Sequence, residues 1–243
     1  MIGQLRHIGF QQIHNKFFCR FEINGRWQVD PLFKNLRDHL KEENKLPSSI
    51  DFEAAEKLIV DLLEADMPKL PYHNTSHVYD VLKSAMAIAE HERVNNDDIR
   101  LLRLAALLHD AGFIHSSISH EATGAEMVRE MLPSFGLTND QIKIIANMIL
   151  ATRLPQSPTT QLEKILCDAD LDYLGREDFY TTGEKLFKEM QEQGVVESER
   201  EWNLVQRTFL QSHRYHTNYS KTNRESSKQE RLQEIVEKLK NRS

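Results

Sequence analysis

From about residue 50 onward, apolar side chains recur at the spacing of an α-helix, and this periodicity constrains the fold more than any other feature of the sequence. Residues 101–108 are apolar on nearly every side, which is typical of a helix buried at the centre of a domain. Pro68 and Pro71 must end the helix before them, because proline lacks the N–H that helix hydrogen bonds require. The sequence therefore predicts an all-α domain.

The N-terminal residues show a different pattern, that of two short β-strands. Residues 17–23 and 26–29 flank Asn24-Gly25, a dipeptide that favours the type I′ turn of a β-hairpin because both central residues of that turn need a positive φ. The complete fold prediction is an all-α helical bundle with a small N-terminal β-hairpin appendage.

We expect three parts in the chain: an N-terminal extension (1–46), a helical domain (47–215) and a C-terminal segment (216–243). The C-terminal segment begins as a basic polar linker and continues as an amphipathic helix through Ile235 and Leu239. This helix can form a homodimer, bind another partner, or pack back on its own domain. We favour the last of these.

Composition excludes several classes of protein. With 40% hydrophobic residues the chain is too apolar to be disordered, and no apolar run approaches the roughly 20 residues of a membrane-spanning helix. The two cysteines, Cys19 and Cys167, cannot form a disulfide framework, so we expect a cytoplasmic protein. The net charge of -6 argues against binding nucleic acid through bulk electrostatics.

Histidines are concentrated in one part of the chain, because six of the eleven fall between His73 and His120. Among them, His109 precedes Asp110 at the carboxyl end of the apolar helix 101–108. An ionisable pair is costly to bury there unless something compensates for it. The pair can be a structural ion pair, but the titratable residues on neighbouring helices favour a functional role.

Two further residues can reach the same place. His77 lies in the first turn of the preceding helix, at the edge of its apolar face. In the helix that contains CDADLD, the rotation of about 100° per residue puts Asp170 at the border of the buried stripe and Asp168 on the far side. Asp172 lies at the opposite border. Asp170 is the carboxylate that we expect at a buried site; the alternative is that all three are solvated.

Two histidines and two aspartates from three helices predict a divalent-metal site. Imidazole and carboxylate ligands suit Mn²⁺, Fe²⁺, Zn²⁺ or Mg²⁺, with water in the open positions. Such a metal lowers the pKa of a bound water and neutralises charge on a phosphoryl oxygen. A protein of negative net charge can therefore accept an anionic substrate, because the local field governs the site.

The order His77, His109-Asp110, Asp170 on an all-α scaffold resembles the H…HD…D signature of the HD superfamily of metal-dependent phosphohydrolases. The resemblance covers roughly residues 50–215, and ALLHDAGF and CDADLDYLG are its most specific segments. It implies a helical HD domain in which these four residues bind the first metal. Asp110 can bridge to a second metal.

The segment PYHNTSHVYDV also resembles YHNxxHAxDV of the class I cyclic-nucleotide phosphodiesterases. In that family the first histidine of the segment is the general acid and the second is a metal ligand, which implies these roles for His73 and His77. The later segment VQRTFL resembles the family's Q-x-x-F, in which the glutamine and the phenylalanine hold the purine. This resemblance implies substrate binding by Gln206 and Phe209.

The sequence departs from the phosphodiesterase pattern at two places. The second histidine of the family's HDxxHPG is missing at its expected position, and Arg153 replaces the aspartate of ILATD. Arg153 can bind a phosphate group through two hydrogen bonds, or it can be a surface arginine. His120 lies where many HD proteins have a histidine near the substrate or a second metal, whereas we expect His91 and His115 to be surface residues.

The resemblance implies an enzyme that hydrolyses the phosphate ester of a nucleotide, and this class of substrate includes the cyclic phosphodiesters. A metal-bound hydroxide would attack phosphorus, with His73 as general acid and Asp110 acting through the metal. A nucleotidase or a nucleoside triphosphate hydrolase would use the same chemistry. A non-catalytic HD module that senses a nucleotide or binds a partner is the alternative of another class.

Overall fold

The structure, a computed structural model, describes residues 12–13, 16–17, 20–23, 26–29 and 49–241. The chain divides into two compact units, Met1–Ser48 and Ser49–Ser243. The units are described separately below.

In the first unit, four short strands form two antiparallel pairs. Strand β1 (Gln12–Ile13) pairs with β2 (Lys16–Phe17), and β3 (Arg20–Ile23) pairs with β4 (Arg26–Val29). The turn at Asn24-Gly25 lies outside the described residues, so the hairpin that rests on it stays a prediction.

The second unit is helical throughout its described residues, which agrees with the predicted all-α class. Its α-helices are α1 (Phe52–Asp66), α2 (Thr75–His91), α3 (Asn96–Leu108), α4 (His120–Met131), α5 (Asn139–Ala151), α6 (Gln161–Asp170), α7 (Phe179–Glu192), α8 (Glu199–Ser212), α9 (Asn218–Asn223) and α10 (Glu225–Asn241). Turns of 3₁₀ helix follow α3, α4 and α6, at Ala111–Ile114, Leu132–Phe135 and Asp172–Gly175. In the described part of the chain, no helix has both the length and the apolar composition that crossing a bilayer requires.

Helix α3 lies at the centre of the second unit and packs against α1, α2, α5 and α6. It begins where the side chain of Asn95 accepts a hydrogen bond from the backbone N–H of Asp98, at 3.0 Å. Leucine and alanine side chains on every face of its second half are buried, which explains why the sequence is apolar there. The helix therefore carries the residues that follow it to the middle of the domain.

The turn after α3 brings the chain back against the start of α4. A Cβ added at Gly112 would collide with the backbone carbonyl group of His120, so only glycine permits this close approach. The turn thus fixes His120 next to the residues that directly follow α3.

The C-terminal segment belongs to the second unit and packs on it. Helix α10 lies against α8 and against the turn Asp172–Gly175, and it buries Ile235 and Leu239 in the same apolar cluster as Leu210. The apolar face of α10 is thus covered by its own domain, as we favoured. Residues 216–241 are structurally continuous with the helical domain, and they do not form a part of their own.

Candidate functional site

Four polar side chains converge at the carboxyl end of α3. His77 lies in the first turn of α2, His109 and Asp110 follow α3 directly, and Asp170 is the last residue of α6. The side-chain oxygen of Asn74 accepts hydrogen bonds from two backbone N–H groups of the first turn of α2, which fixes the position of His77. The carboxyl ends of α3 and α6 both point their negative dipole ends toward this place, which favours a cation.

His77, His109 and Asp170 bring one potential ligand atom each close together, and Asp110 lies beside both histidines. His77 Nε2 lies 3.4 Å from His109 Nε2, 3.5 Å from Asp110 Oδ2 and 3.3 Å from Asp170 Oδ1. His109 Nε2 lies 3.3 Å from Asp110 Oδ2 and 3.6 Å from Asp170 Oδ1. Ligands at about 2.1 Å from one metal ion are roughly 3.0–3.4 Å from each other, so this spacing fits a metal centre.

The Asp110 carboxylate supplies the strongest sign that a cation belongs here. Its Oδ2 atom is buried and has no hydrogen-bond partner among the described residues. A buried carboxylate oxygen without a partner is costly. A divalent cation between the four ligand atoms would satisfy this oxygen, so the residues present fit a metal.

The ring of His109 is held in the orientation that a metal ligand needs. Its Nδ1 donates a hydrogen bond to the carbonyl oxygen of Ala106 at 2.7 Å, so Nε2 is the nitrogen that faces the other ligand atoms. Burial lowers the pKa of His109, but the adjacent Asp110 carboxylate outweighs burial and raises this pKa to about 9. A metal ion bound at His109 Nε2 would compete with a proton for this nitrogen.

A second buried carboxylate fixes His73 beside this cluster. Glu189 on α7 is 2% exposed, and its Oε1 accepts a 2.5 Å hydrogen bond from His73 Nδ1. Its Oε2 accepts hydrogen bonds from the backbone N–H groups of Tyr72 and His73, both at 2.9 Å. Burial lowers the pKa of His73, but the hydrogen bond to Glu189 and the charges of Glu189, Asp110 and Asp170 together outweigh burial and raise this pKa. Since Nδ1 is engaged, Nε2 is the ring nitrogen of His73 that can serve a substrate.

The aromatic ring of Phe113 positions His73 and His120. It stacks on His73 with 4.3 Å between ring centroids, and its centroid lies 4.2 Å from that of His120. His120 Nε2 lies 3.5 Å from Asp110 Oδ1 and 3.5 Å from Glu121 Oε1. Asp110 therefore faces the four-ligand cluster with one oxygen and His120 with the other.

A cavity of about 340 Å³ opens onto this cluster. The predicted site residues that line it are His73, Asp110, His120, Asp170, Gln206 and Phe209. Arg153 is exposed and does not line the cavity, so its placement gives no support to the predicted phosphate contact. Helix α5 ends with Ala151, and the residues on either side of Arg153, Thr152 and Leu154, line the cavity.

Two carboxylates near Asp170 are buried for structural reasons, contrary to the reading of them as solvated. Asp168 is fully buried and accepts hydrogen bonds from the backbone N–H groups of His216 and Thr217, at 2.9 and 2.8 Å. Asp172 is 3% exposed and pairs with Arg224 at 2.7 Å. Both carboxylates anchor the C-terminal segment. This segment covers the side of α6 that the helical pattern predicts to face solvent.

Two of the six histidines between His73 and His120, namely His91 and His115, lie apart from the cavity. His91 is exposed, as expected, and its ring contacts Tyr219 with 5.0 Å between centroids. His115 is half-buried in the loop after the turn Ala111–Ile114. Neither lines the cavity.

Sequence reasoning missed Glu189, Phe113 and Glu121. The one indication for Glu189 in the sequence is its spacing, because it follows Leu186 by three positions and so lies on the same face of α7, which lines the cavity. Phe113 and Glu121 each adjoin a predicted site residue along the chain or across the turn, but their sequence context does not distinguish them from core and surface residues.

Comparison with known proteins finds a family of domains that resembles this part of the chain. Residues 75–172 match the HD domain, and the match includes all four residues of the cluster. Among solved structures, the chain is similar to a predicted HD superfamily hydrolase from an uncultured Thermotogales bacterium. The two are 28% identical, with 51% of this chain and 72% of that chain covered and a TM-score of 0.45. None of the curated proteins matches the chain in sequence.

Proposed function

We propose that this protein is a metal-dependent phosphohydrolase that cleaves a phosphate ester, because residues 75–172 match the HD domain. The observation that carries the proposal is the group of His77, His109 and Asp170, whose ligand atoms lie 3.3–3.6 Å from one another, with Asp110 Oδ2 at 3.3–3.5 Å from both imidazoles. The unpartnered Oδ2 atom of Asp110 supports it.

These four side chains would hold the metal. When bound, a divalent ion supplies a nucleophile by lowering the pKa of water, and it neutralises charge on the phosphoryl group. The metal can be Mn²⁺, Fe²⁺, Zn²⁺ or Mg²⁺, since all four accept imidazole and carboxylate ligands. Asp110 Oδ1 faces His120, so a second ion between them is a further part of the proposal.

His73 would act as the general acid that protonates the leaving oxygen. Its Nδ1 donates to the buried Glu189, and this bond favours the protonated ring. Its Nε2 makes no hydrogen bond to the described residues, and the side chain lines the cavity. The ring is therefore oriented with an available N–H toward a substrate in the cavity.

A nucleotide is the substrate class that we propose for the ester. Gln206 and Phe209 both line the cavity, where an amide and an aromatic ring are suited to bind a nucleobase by hydrogen bonding and stacking. A cyclic phosphodiester and a phosphate monoester each present a leaving oxygen to His73.

Two substitutions separate metal binding from proton donation. We expect His109→Ala to lose bound metal and turnover together, because His109 provides a ligand atom. His73→Gln should retain metal and lower kcat for esters with alkoxide leaving groups. His91→Ala changes an exposed histidine outside the cavity and serves as the matched control.

The assays are metal analysis of the purified variants and hydrolysis of bis(p-nitrophenyl) phosphate and a panel of nucleotides. Full activity of His109→Ala would refute the proposal. Bound metal in the wild-type protein without hydrolysis of any phosphate ester would instead favour a nucleotide-sensing or partner-binding module.

A further inference from the structure

Carboxylates outnumber basic side chains around the cavity. The ionisable residues that line it are His73, Asp110, His120, Glu121, Asp170 and Glu189. Among the described residues that line it, none is lysine or arginine. Apart from the metal ions proposed above, the two histidines are the only source of positive charge among these lining residues.

The carboxylates of the cavity differ in how they are engaged. Asp110 and Asp170 face the proposed metal, and Glu189 is paired with His73 at 2.5 Å. The Glu121 side chain is 12% exposed, and its nearest basic group in the cavity is His120 Nε2 at 3.5 Å. Glu121 therefore presents its negative charge to the space beside the metal cluster.

Glu121 also lies in the first turn of α4. A helix N-terminus with free N–H groups attracts phosphate, and an acidic side chain in the first turn offsets that positive end. Sites for several phosphoryl groups ordinarily supply arginine, lysine or such a helix end. Among the described residues that line this cavity there is neither arginine nor lysine. The helix N-terminus carries the acidic side chain of Glu121 in its first turn.

The opposite wall of the cavity is apolar. Its apolar lining residues on α7, α8 and the turn before α7 are Leu174, Phe179, Leu186, Met190, Trp202, Phe209 and Leu210. The amide of Gln206 lies in this wall beside Gly183, where an added Cβ would be 3.4 Å from Gln206 Nε2. This amide makes no hydrogen bond to the described residues, so its donor and its acceptor are both available to an uncharged ring with polar edges.

The size of the cavity agrees with a small ligand. Its volume of about 340 Å³ is near the lower end of the roughly 300–1,000 Å³ found for small-molecule sites. One ring system on the apolar wall and one phosphoryl group at the metal cluster would occupy it. Further phosphoryl groups would share this small space with the negative charge of Glu121, which also lines it.

We infer that this cavity selects phosphate esters that join a single phosphoryl group to an uncharged ring, and that Glu121 disfavours nucleoside di- and triphosphates. The inference rests on the proposed phosphohydrolase function and narrows it. Mononucleotides and cyclic nucleotides are the substrate class, and nucleoside triphosphate hydrolysis is not the activity of this site.

Hydrolysis of matched nucleotides tests the inference. The mono-, di- and triphosphates of the four common nucleosides and their 3′,5′-cyclic monophosphates are assayed with excess Mn²⁺, beside bis(p-nitrophenyl) phosphate. We expect kcat/KM for the best single-phosphoryl nucleotide to exceed that of its triphosphate at least tenfold. Equal or faster cleavage of a di- or triphosphate would overturn the inference, as would cleavage of bis(p-nitrophenyl) phosphate alone. If that ester is also stable, the proposed function itself fails.

Glu121→Gln tests the residue, and Glu126→Gln, on the same helix, is the matched control because its carboxylate pairs with Arg129 outside the cavity. We expect Glu121→Gln to raise kcat/KM for a diphosphate relative to the monophosphate by about tenfold, since one repulsive charge is removed. Metal content should stay at the wild-type value. An unchanged ratio, or loss of a bound metal ion in Glu121→Gln, would contradict the assigned role.

Discussion

Glu189→Gln tests whether a buried carboxylate holds His73 in its working protonation state. The glutamine side chain has nearly the same size, and its one oxygen can still accept hydrogen bonds from the backbone at Tyr72 and His73. The negative charge opposite His73 Nδ1 is lost. Because Glu189 is only 2% exposed, water screens this change little.

The size of the effect follows from the hydrogen bond that is weakened. A hydrogen bond to a charged group contributes about 1.5–3 kcal/mol, and one pKa unit corresponds to about 1.4 kcal/mol. Glu189 raises the pKa of His73 against the effect of burial, so the substitution should lower this pKa. Above the wild-type pKa, the protonated fraction of His73 and hence kcat should fall about 10- to 100-fold.

The assay is kcat as a function of pH for the wild-type protein, Glu189→Gln and Glu192→Gln, with metal content measured on the same samples. Glu192 is exposed on the same helix and provides the control. The basic limb of the profile should move to lower pH in Glu189→Gln alone, with metal retained. An unmoved basic limb, or a change in KM only, would refute the reasoning.

Three further substitutions test other parts of the structure. The His109→Ala variant should bind Zn²⁺ with at least tenfold lower affinity than the His91→Ala variant in calorimetry, because only the first substitution removes a ligand. Equal affinities would exclude His109 from the metal centre. Burial, with the charge of Lys228, lowers the pKa of His213 to about 3. As the pH decreases, His213 is therefore protonated in the unfolded chain before it is protonated in the folded chain. The free energy of unfolding should fall below about pH 6.5, with a slope of up to about 1.4 kcal/mol per pH unit. Urea unfolding should show a smaller slope in His213→Gln, and an unchanged slope would contradict this assignment. Asp168→Asn should cost about 1–3 kcal/mol of unfolding free energy without loss of metal; a lost metal would make Asp168 part of the site.

The helices and the four residues of the metal cluster could be predicted because their signals are local. Apolar spacing identified α3 as the central helix, and the two residues directly after it had to lie where that helix ends. His77 and Asp170 each lie at a helix end beside the apolar face, so helix geometry alone directed them toward α3. The order of these residues then resembled a known signature.

The partner of His73 could not be predicted, because the contact joins residues 116 positions apart. It depends on how α7 packs against the segment before α2, and helical periodicity does not determine that packing. The burial of Asp168 has a similar cause. The helical pattern of α6 assumed one covered face, whereas the C-terminal segment covers a second face through hydrogen bonds from residues 216 and 217.

The central claim is that four side chains at the end of α3 bind one metal ion. Crystals of the protein soaked with Zn²⁺ and measured at the zinc absorption edge test it most directly. The account predicts an anomalous difference peak about 2.0–2.2 Å from His77 Nε2, His109 Nε2, Asp110 Oδ2 and Asp170 Oδ1. Zinc bound elsewhere, with no peak between these four atoms, would contradict it.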